Sequence, residues 1–405
     1  MNSPWSAGAP LNANDWQRVR LRAMFDCCKW DIQSEDHCVL ADFPLLLESG
    51  AWQFVAQTAE KLARETQAAE DELLARAGLH SNLGLPRRIR KLLQFSNGAS
   101  QPKGAARVHR FDFHFTAEGW RISEVNADVP GGFIEASGFT QLMTDHYPGY
   151  APPGNPACSY VNAISRAAGE KSLIGFVHAT AHSDDRQVME YLARLLRSHN
   201  FSTVMLSPEH LRWESGNACI ASSFAAGVPA LLVRFFPGEW LCELRPDTTW
   251  APWFAGGATP MSNPGSALLV QSKRFPITWS ELDSPLVAWR ETLPETKCPS
   301  DVRDFSHADW VLKPIFGRVG EDVAIAGVTE RSRFDAIVRA AKKQSKEWVA
   351  QRRFETVPVD TERGPRYVCL GVFTVDGHAA GAYGRIATKP LIDQEAQDAA
   401  VLIRK

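Results

Sequence analysis

Arg110, Asp112, Glu124 and Asn126 are spaced so that one face of a hairpin would carry all four. They lie in Arg110-Phe111-Asp112-Phe113-His114-Phe115 and in Trp120-Arg121-Ile122-Ser123-Glu124-Val125-Asn126, either side of a Glu118-Gly119 turn. Both stretches alternate with the two-residue period of strands. Folded about Glu118, Asp112 opposes Glu124 and Arg110 opposes Asn126. Phe111, Phe113 and Phe115 then point to the other face, toward a core. Carboxylates directly opposed across a sheet repel, and a hard divalent cation offsets that repulsion. Two carboxylates and an amide oxygen are ligands that Mg²⁺ prefers, and Mg²⁺ carries nucleotide phosphates. The same residues also suit a solvated hairpin edge on which Arg110 neutralises Asp112. If the two carboxylates simply repel, Asp112→Asn should cost little stability.

A second set of residues suits a nucleotide. Lys313 interrupts the apolar strand Val311-Leu312-Lys313-Pro314, where a lysine wants an anionic partner. The loop Phe316-Gly317-Arg318-Val319-Gly320 follows, and its glycines let backbone N–H groups approach phosphates while Arg318 adds charge. It lacks the Gly-Lys-Ser/Thr ending of a P-loop and the Gly-x-Gly-x-x-Gly of a dinucleotide fold. A snorkelling lysine beside an ordinary turn fits as well. Gln351 is the one amide on the apolar strand Trp348-Val349-Ala350-Gln351, which suits an adenine wall or a plain sheet. Arg385 closes Gly381-Ala382-Tyr383-Gly384-Arg385, where small neighbours allow close approach to a phosphoryl group; a surface arginine is the alternative.

The elements that must position these residues read as mixed α/β. Residues 16–93 are mostly helical, with a long helix through Ala77 and a stop at Gly78. A helix is expected from Ile134, and the Pro/Gly-rich stretch 147–158 marks a boundary or loop. A strand at Leu173–Val177, a helix at Asp185–His199, a strand at Thr203–Leu206 and an apolar run at Ala230–Phe235 suggest a Rossmann-like unit. Further strands are expected at Ala267–Gln271, Trp310–Pro314, Trp348–Arg353, Tyr367–Val375 and Ala379–Arg385, and a helix at Glu330–Lys346.

Whole-chain properties narrow the class. The 405 residues suffice for two or three packed domains. A net charge of -2 disfavours nucleic-acid binding, which wants a basic surface. No apolar run is long enough to span a bilayer, and the N-terminus has neither a basic region nor a signal-like stretch. The eight cysteines are scattered without a Cys-x-x-Cys pair, as expected for free thiols in a reducing cytoplasm.

Taken together, Arg110-Phe-Asp112-Phe, Glu124-Val-Asn126-Ala-Asp128, Lys313-Pro-Ile-Phe-Gly-Arg318-Val-Gly320 and Gly381-Ala-Tyr-Gly-Arg385 resemble the synthetase domain of the glutathionylspermidine synthase family, within the ATP-grasp superfamily. Cys28-Lys-Trp-Asp31, Asn263-Pro and Gln271-Ser-Lys273 agree more weakly. The resemblance implies an α/β ATP-grasp fold with a Rossmann-like pre-ATP-grasp portion and an N-terminal helical segment. The implied segments are 1–106 (helical), 107–158 (metal-site hairpin and following helix), 159–300 (pre-ATP-grasp) and 301–405 (nucleotide-binding). It implies an ATP- and Mg²⁺-dependent ligase joining a small-molecule acid to an amine through an acyl phosphate. Asp112, Glu124 and Asn126 match its metal ligands, and Arg110 and Arg385 its arginines near the reacting carboxylate and phosphoryl group. Lys313 matches a phosphate lysine and Gln351 the adenine strand; Arg318 and Gly320 belong to the phosphate loop. Lys346, with Lys343 close behind, is chosen for a second nucleotide lysine. No N-terminal amidase such as bifunctional members carry is expected at this length. Family serines that help hold glutathione are replaced by Val129-Pro130-Gly131-Gly132, so an acid other than glutathione is expected, with the glycines leaving room for bulk. A nucleotide-binding scaffold without turnover is the alternative from another class.

Overall fold

The structure is a computed structural model and describes residues 3–34, 37–95, 105–170, 173–245, 247–307 and 309–405. Its centre is an eight-stranded sheet. Seven strands run across it in the order Trp5–Ala7, Leu45–Leu47, Gln397–Arg404, His378–Ala387, Tyr367–Val375, Val108–Thr116 and Gly119–Asn126, and Tyr150–Ala151 pairs beside Gln397–Arg404. The sheet therefore takes strands from both ends of the chain. The helix Ser49–Ala75 covers one face. Its buried residues Val55, Ala59, Leu62, Thr66, Ala69 and Leu73 recur every three to four positions, as one helical face requires. They join Phe111, Phe113 and Phe115 in one core.

Two smaller sheets flank this centre. Four parallel strands, ordered Met261–Ser262, Leu231–Arg234, Leu173–Val177 and Ser202–Leu206, form the expected Rossmann-like unit with the helices Pro156–Ala168 and Ser183–Ser198. Four antiparallel strands, ordered Thr296–Lys297, Trp348–Arg352, Trp310–Pro314 and Ala324–Ile325, carry the helix Arg331–Lys343.

The expected mixed α/β class is present, with local departures: the 16–93 stretch also holds the strands Gln33–Ser34, His37–Cys38 and Leu45–Leu47, and the helix expected to reach Lys346 ends at Lys343. Ala267–Gln271 is not a strand: Gly265–Ala267 is a 3₁₀ turn and Leu268–Gln271 a helical turn. Ala267, Leu268, Leu269 and Val270 are all fully buried, and a run without a polar side has no period to separate strand from helix. The strand Gln397–Arg404 escaped notice because Ala399 to Leu402 are buried consecutively and show no alternation.

Candidate active site

The hairpin has the expected opposed pairs, reached by a different route. Its loop is only Ala117-Glu118, so Thr116 pairs with Gly119, Phe115 with Trp120 and Phe113 with Ile122. The register then shifts at Ser123, an extra residue bulged from the second strand, so that Asp112 pairs with Glu124 and Arg110 with Asn126. Without the bulge, strict alternation would put Trp120, Ile122, Glu124 and Asn126 on one face. With it, Trp120 and Ile122 join the Phe core while Glu124 and Asn126 turn to the other side. There they line a cavity of about 740 Å³ bounded by residues of the central sheet, of the four-stranded antiparallel sheet and of loops at the end of the Rossmann-like unit.

Cations of the chain answer the opposed carboxylates. The Arg110 guanidinium donates to both Asp112 oxygens, at 2.8 and 2.9 Å. Its other terminal nitrogen donates to the Gly131 carbonyl at 2.8 Å and the Tyr383 hydroxyl at 3.2 Å. Asn126 donates to Asp112 at 3.3 Å, leaving its carbonyl oxygen as an acceptor. Lys273 pairs with Glu124 at 3.1 Å and donates to the Gly317 carbonyl at 2.8 Å. Burial would raise the Glu124 carboxyl, but Lys273 and Lys313 outweigh it and hold the group well below its usual range. Of the alternative, a solvated edge on which Arg110 neutralises Asp112, the ion pair is present, but the solvation is not, since Asp112 is only 7% exposed.

Lys313 meets neutral oxygens instead of an anion. It donates to Gln351 Oε1 at 2.7 Å and to the carbonyl of the bulged Ser123 at 3.2 Å. Burial pushes its ammonium down to about 8, against the pull of Glu124. The Gln351 side chain is thus engaged with Lys313. Arg318 pairs with Glu239 at 2.6 Å and lies over the Trp240 ring at 5.0 Å, tying the glycine loop to the Rossmann-like unit. Gly320 has φ +71°, and a Cβ there would meet the Ile392 carbonyl at 2.4 Å. The loop therefore needs glycine where it crosses the 390–394 segment. Arg385 donates to the Asp393 carbonyl at 2.8 Å and lies 3.8 Å from Asp398.

Of the ten residues singled out from sequence, nine line the cavity, and Lys346 does not; it is exposed in a 3₁₀ turn. Lys273, with Lys29 and Lys313 one of three lysines lining the cavity, stands beside Glu124 instead; its signal was the Gln271-Ser272-Lys273 motif. Sequence reading also gave no role to Lys29, which is buried against Glu135 at 2.5 Å, Asp31 at 3.0 Å and Asp398 at 3.7 Å. Tyr383 went unassigned too. The expected room at Gly132 is absent: φ is +99° and a Cβ would lie 2.5 Å from the Tyr383 ring. Gly132→Ala should therefore destabilise by about 2–4 kcal/mol through backbone strain and overpacking, as read by denaturant unfolding.

The donor set suits Mg²⁺. Among the described residues no three His, Cys, Asp or Glu side chains form a metal cage. A cation here would rest on Asp112, Glu124 and the Asn126 carbonyl and take its other ligands from water and phosphate, as Mg²⁺ does in nucleotide sites.

A family model described as glutathionylspermidine synthase pre-ATP-grasp matches residues 44–404. The chain belongs to that family. Membership supports the resemblance carried by the motifs and puts the chain among synthetase-like ligases with a pre-ATP-grasp α/β fold. A solved glutathione synthetase-like effector from Globodera pallida, in its apo form, is 13% identical and aligns over 96% of this chain and 97% of its own, with a TM-score of 0.63. That likeness is one of fold. A putative gamma-glutamylcysteine synthetase from Methylobacillus flagellatus is 12% identical over 79% of this chain and 81% of its own, with a TM-score of 0.41. No curated protein matches the sequence. Among the described residues no helix is long and apolar enough to cross a membrane.

Proposed function

We propose that the chain is an ATP-dependent carboxylate–amine ligase that forms an amide through an acyl phosphate and releases ADP and phosphate. The observation that supports this most is a single cavity in which an opposed Asp–Glu pair and an amide meet two lysines and a glycine-bearing loop. Bound Mg²⁺ would neutralise phosphate charge and orient the nucleotide. Asp112, Glu124 and Asn126 would hold it. Lys313 and Lys273 would contact phosphates, Lys273 taking the place first given to Lys346. The 317–320 backbone would close over them. Arg385 would stabilise the transferring phosphoryl group. Arg110 has five N–H donors, of which four are used within the chain, so it offers an acid charge and one hydrogen bond.

Carboxylates along the cavity wall would receive the amine, although three of them already face Lys29. Asp31, Glu135, Asp184, Asp185 and Asp398 all line the cavity. Asp398, raised by burial against the pull of Lys29, lies beside Arg385 and suits a role in taking a proton from the attacking ammonium. The partners are thus a small acid and a cationic amine, a polyamine or amino acid. Eight unpaired thiols favour a cytoplasmic setting.

The test is ADP release across a matrix of acids and amines. Release needing both substrates and Mg²⁺, and abolished by chelation, is the expected result. Nucleotide binding without ADP release from any pair would favour a scaffold, and amine-independent release an acyl kinase. Glutathione should be a poor acid. The 129–132 segment has no hydroxyl, and Gly131 faces Phe235 at 4.0 Å from its Cβ position. Two peptide groups left unpaired there cost about 1–3 kcal/mol each, roughly a hundredfold in affinity together. Mass spectrometry of products from glutathione competing with other acids checks this, and glutathione outcompeting every other acid overturns it.

A further inference from the structure

The strand Gly119–Asn126, which carries two of the proposed metal ligands, is the last strand of its sheet, with a neighbour on one side only. An edge strand has unpaired backbone groups and nothing across from it to fix its end. Here side chains from outside the sheet supply that restraint. Gln271 Oε1 accepts from the N–H groups of Ala127 at 2.7 Å and Asp128 at 2.9 Å. Asn263 accepts from the Val108 N–H at 2.9 Å and donates to the carbonyls of Val108 and Ala127, each at 2.8 Å. The Asp128 carboxylate is held by Arg234 at 2.5 Å and by the Gly238 N–H at 2.8 Å. Only Gln271 of these three clamps lines the cavity. It also stands two residues from Lys273, which pairs with Glu124.

We infer that Gln271 is a positioning residue: its carbonyl oxygen, accepting from two consecutive N–H groups of the bend that leaves the strand, fixes the backbone after Asn126 and so sets where the Asn126 carbonyl is presented to a divalent cation. The inference rests on the proposed metal site. Outer partners that orient ligands are worth about 10–100-fold in metal affinity. A general structural clamp would act on all ligands alike; this one acts on the cation in particular.

The test uses Mn²⁺ as probe, its binding to the full chain followed by electron paramagnetic resonance with a non-hydrolysable ATP analogue present. Gln271→Met keeps length and loses the acceptor. It should weaken Mn²⁺ binding about tenfold or more and leave the metal-free affinity for the analogue unchanged. Gln271→Glu keeps an oxygen for both N–H groups and should restore Mn²⁺ binding to within about threefold of the parent, a partial rescue inside that tenfold range. Unchanged Mn²⁺ binding in Gln271→Met overturns the inference, as does an equal loss of metal and analogue binding. A parent chain that binds no Mn²⁺ overturns the metal site itself, and the inference with it.

Discussion

Asp112→Asn should lower ATP turnover by about a thousandfold or more, equivalent to about 4 kcal/mol of transition-state stabilisation. The substitution removes an anionic oxygen from the proposed cation site and turns part of the side chain into a donor. It also undoes the two-pronged contact with Arg110, whose side chain is 12% exposed and whose partner is 10% exposed. The expectation from sequence was a small stability cost through relief of like charges. The geometry reverses it, because each carboxylate has its own cation and loss of one partner leaves a buried guanidinium poorly matched. Unfolding stability should fall by about 2–4 kcal/mol. Glu124→Gln provides an independent removal of a proposed ligand, and its turnover should fall comparably. Single-turnover ADP formation by folded protein is the measurement. Turnover within tenfold of the parent in folded Asp112→Asn would take Asp112 out of the metal site.

Nucleotide affinity should weaken as pH rises through about 8, two units below where an ordinary lysine loses charge. The cause is Lys313, whose buried ammonium is pushed down to about 8. The sign follows from which form binds. Phosphate prefers the protonated lysine, so affinity is steady below about 8. Above it, the chain must take up a proton on binding, at a cost approaching tenfold per pH unit. Between pH 7.5 and 9.5 the Kd should rise by about tenfold or more. Lys313→Met should bind weakly at pH 7.5 and show a flat profile, since no proton is then linked to binding. Isothermal calorimetry at several pH values measures both. Equal affinity of parent and variant at pH 7.5 would leave Lys313 a structural lysine, held by Gln351 and the bulge.

Much of this site could be read from the sequence because its signals are local. The Asp112–Glu124 opposition needs only a period and a turn. Yet the turn lies half a residue away from Glu118, and the pairing holds because Ser123 bulges and restores the register. Nothing in Ile122-Ser123-Glu124 announces a bulge except the conflict it resolves, two apolar residues and two polar ones on the same alternating face. Lys313 was legible as a charge in an apolar strand. Lys273 and Lys29 show only as members of weakly agreeing motifs, since Lys273 meets Glu124, and Lys29 meets Glu135 and Asp398, across distant chain segments. Lys346, expected at the end of the helix and taken for a second nucleotide lysine, lies past the helix end at Lys343 and does not line the cavity. The strands Leu231–Arg234, Leu173–Val177 and Ser202–Leu206 are visible as short apolar runs, whereas Met261–Ser262 is hidden in a turn-rich stretch and Gln397–Arg404 in uniform burial.

Tyr383 stands in a socket from which two Cβ atoms are missing. A Cβ at Gly132 would strike its ring at 2.5 Å, and one at Gly371 would strike the ring at 2.8 Å and the Arg110 Cδ at 3.1 Å. Arg110 and the ring beneath it therefore share their space with two backbone positions on separate segments. Substitutions among the four will be strongly epistatic. A methyl at Gly371 that is damaging alone becomes tolerable once Tyr383 is trimmed, and trimming Tyr383 alone leaves Arg110 without its hydroxyl acceptor. Relatives that have diverged in which acid they take would be expected to change positions 371 and 383 together, whereas 132 stays glycine because its φ of +99° strains any side chain.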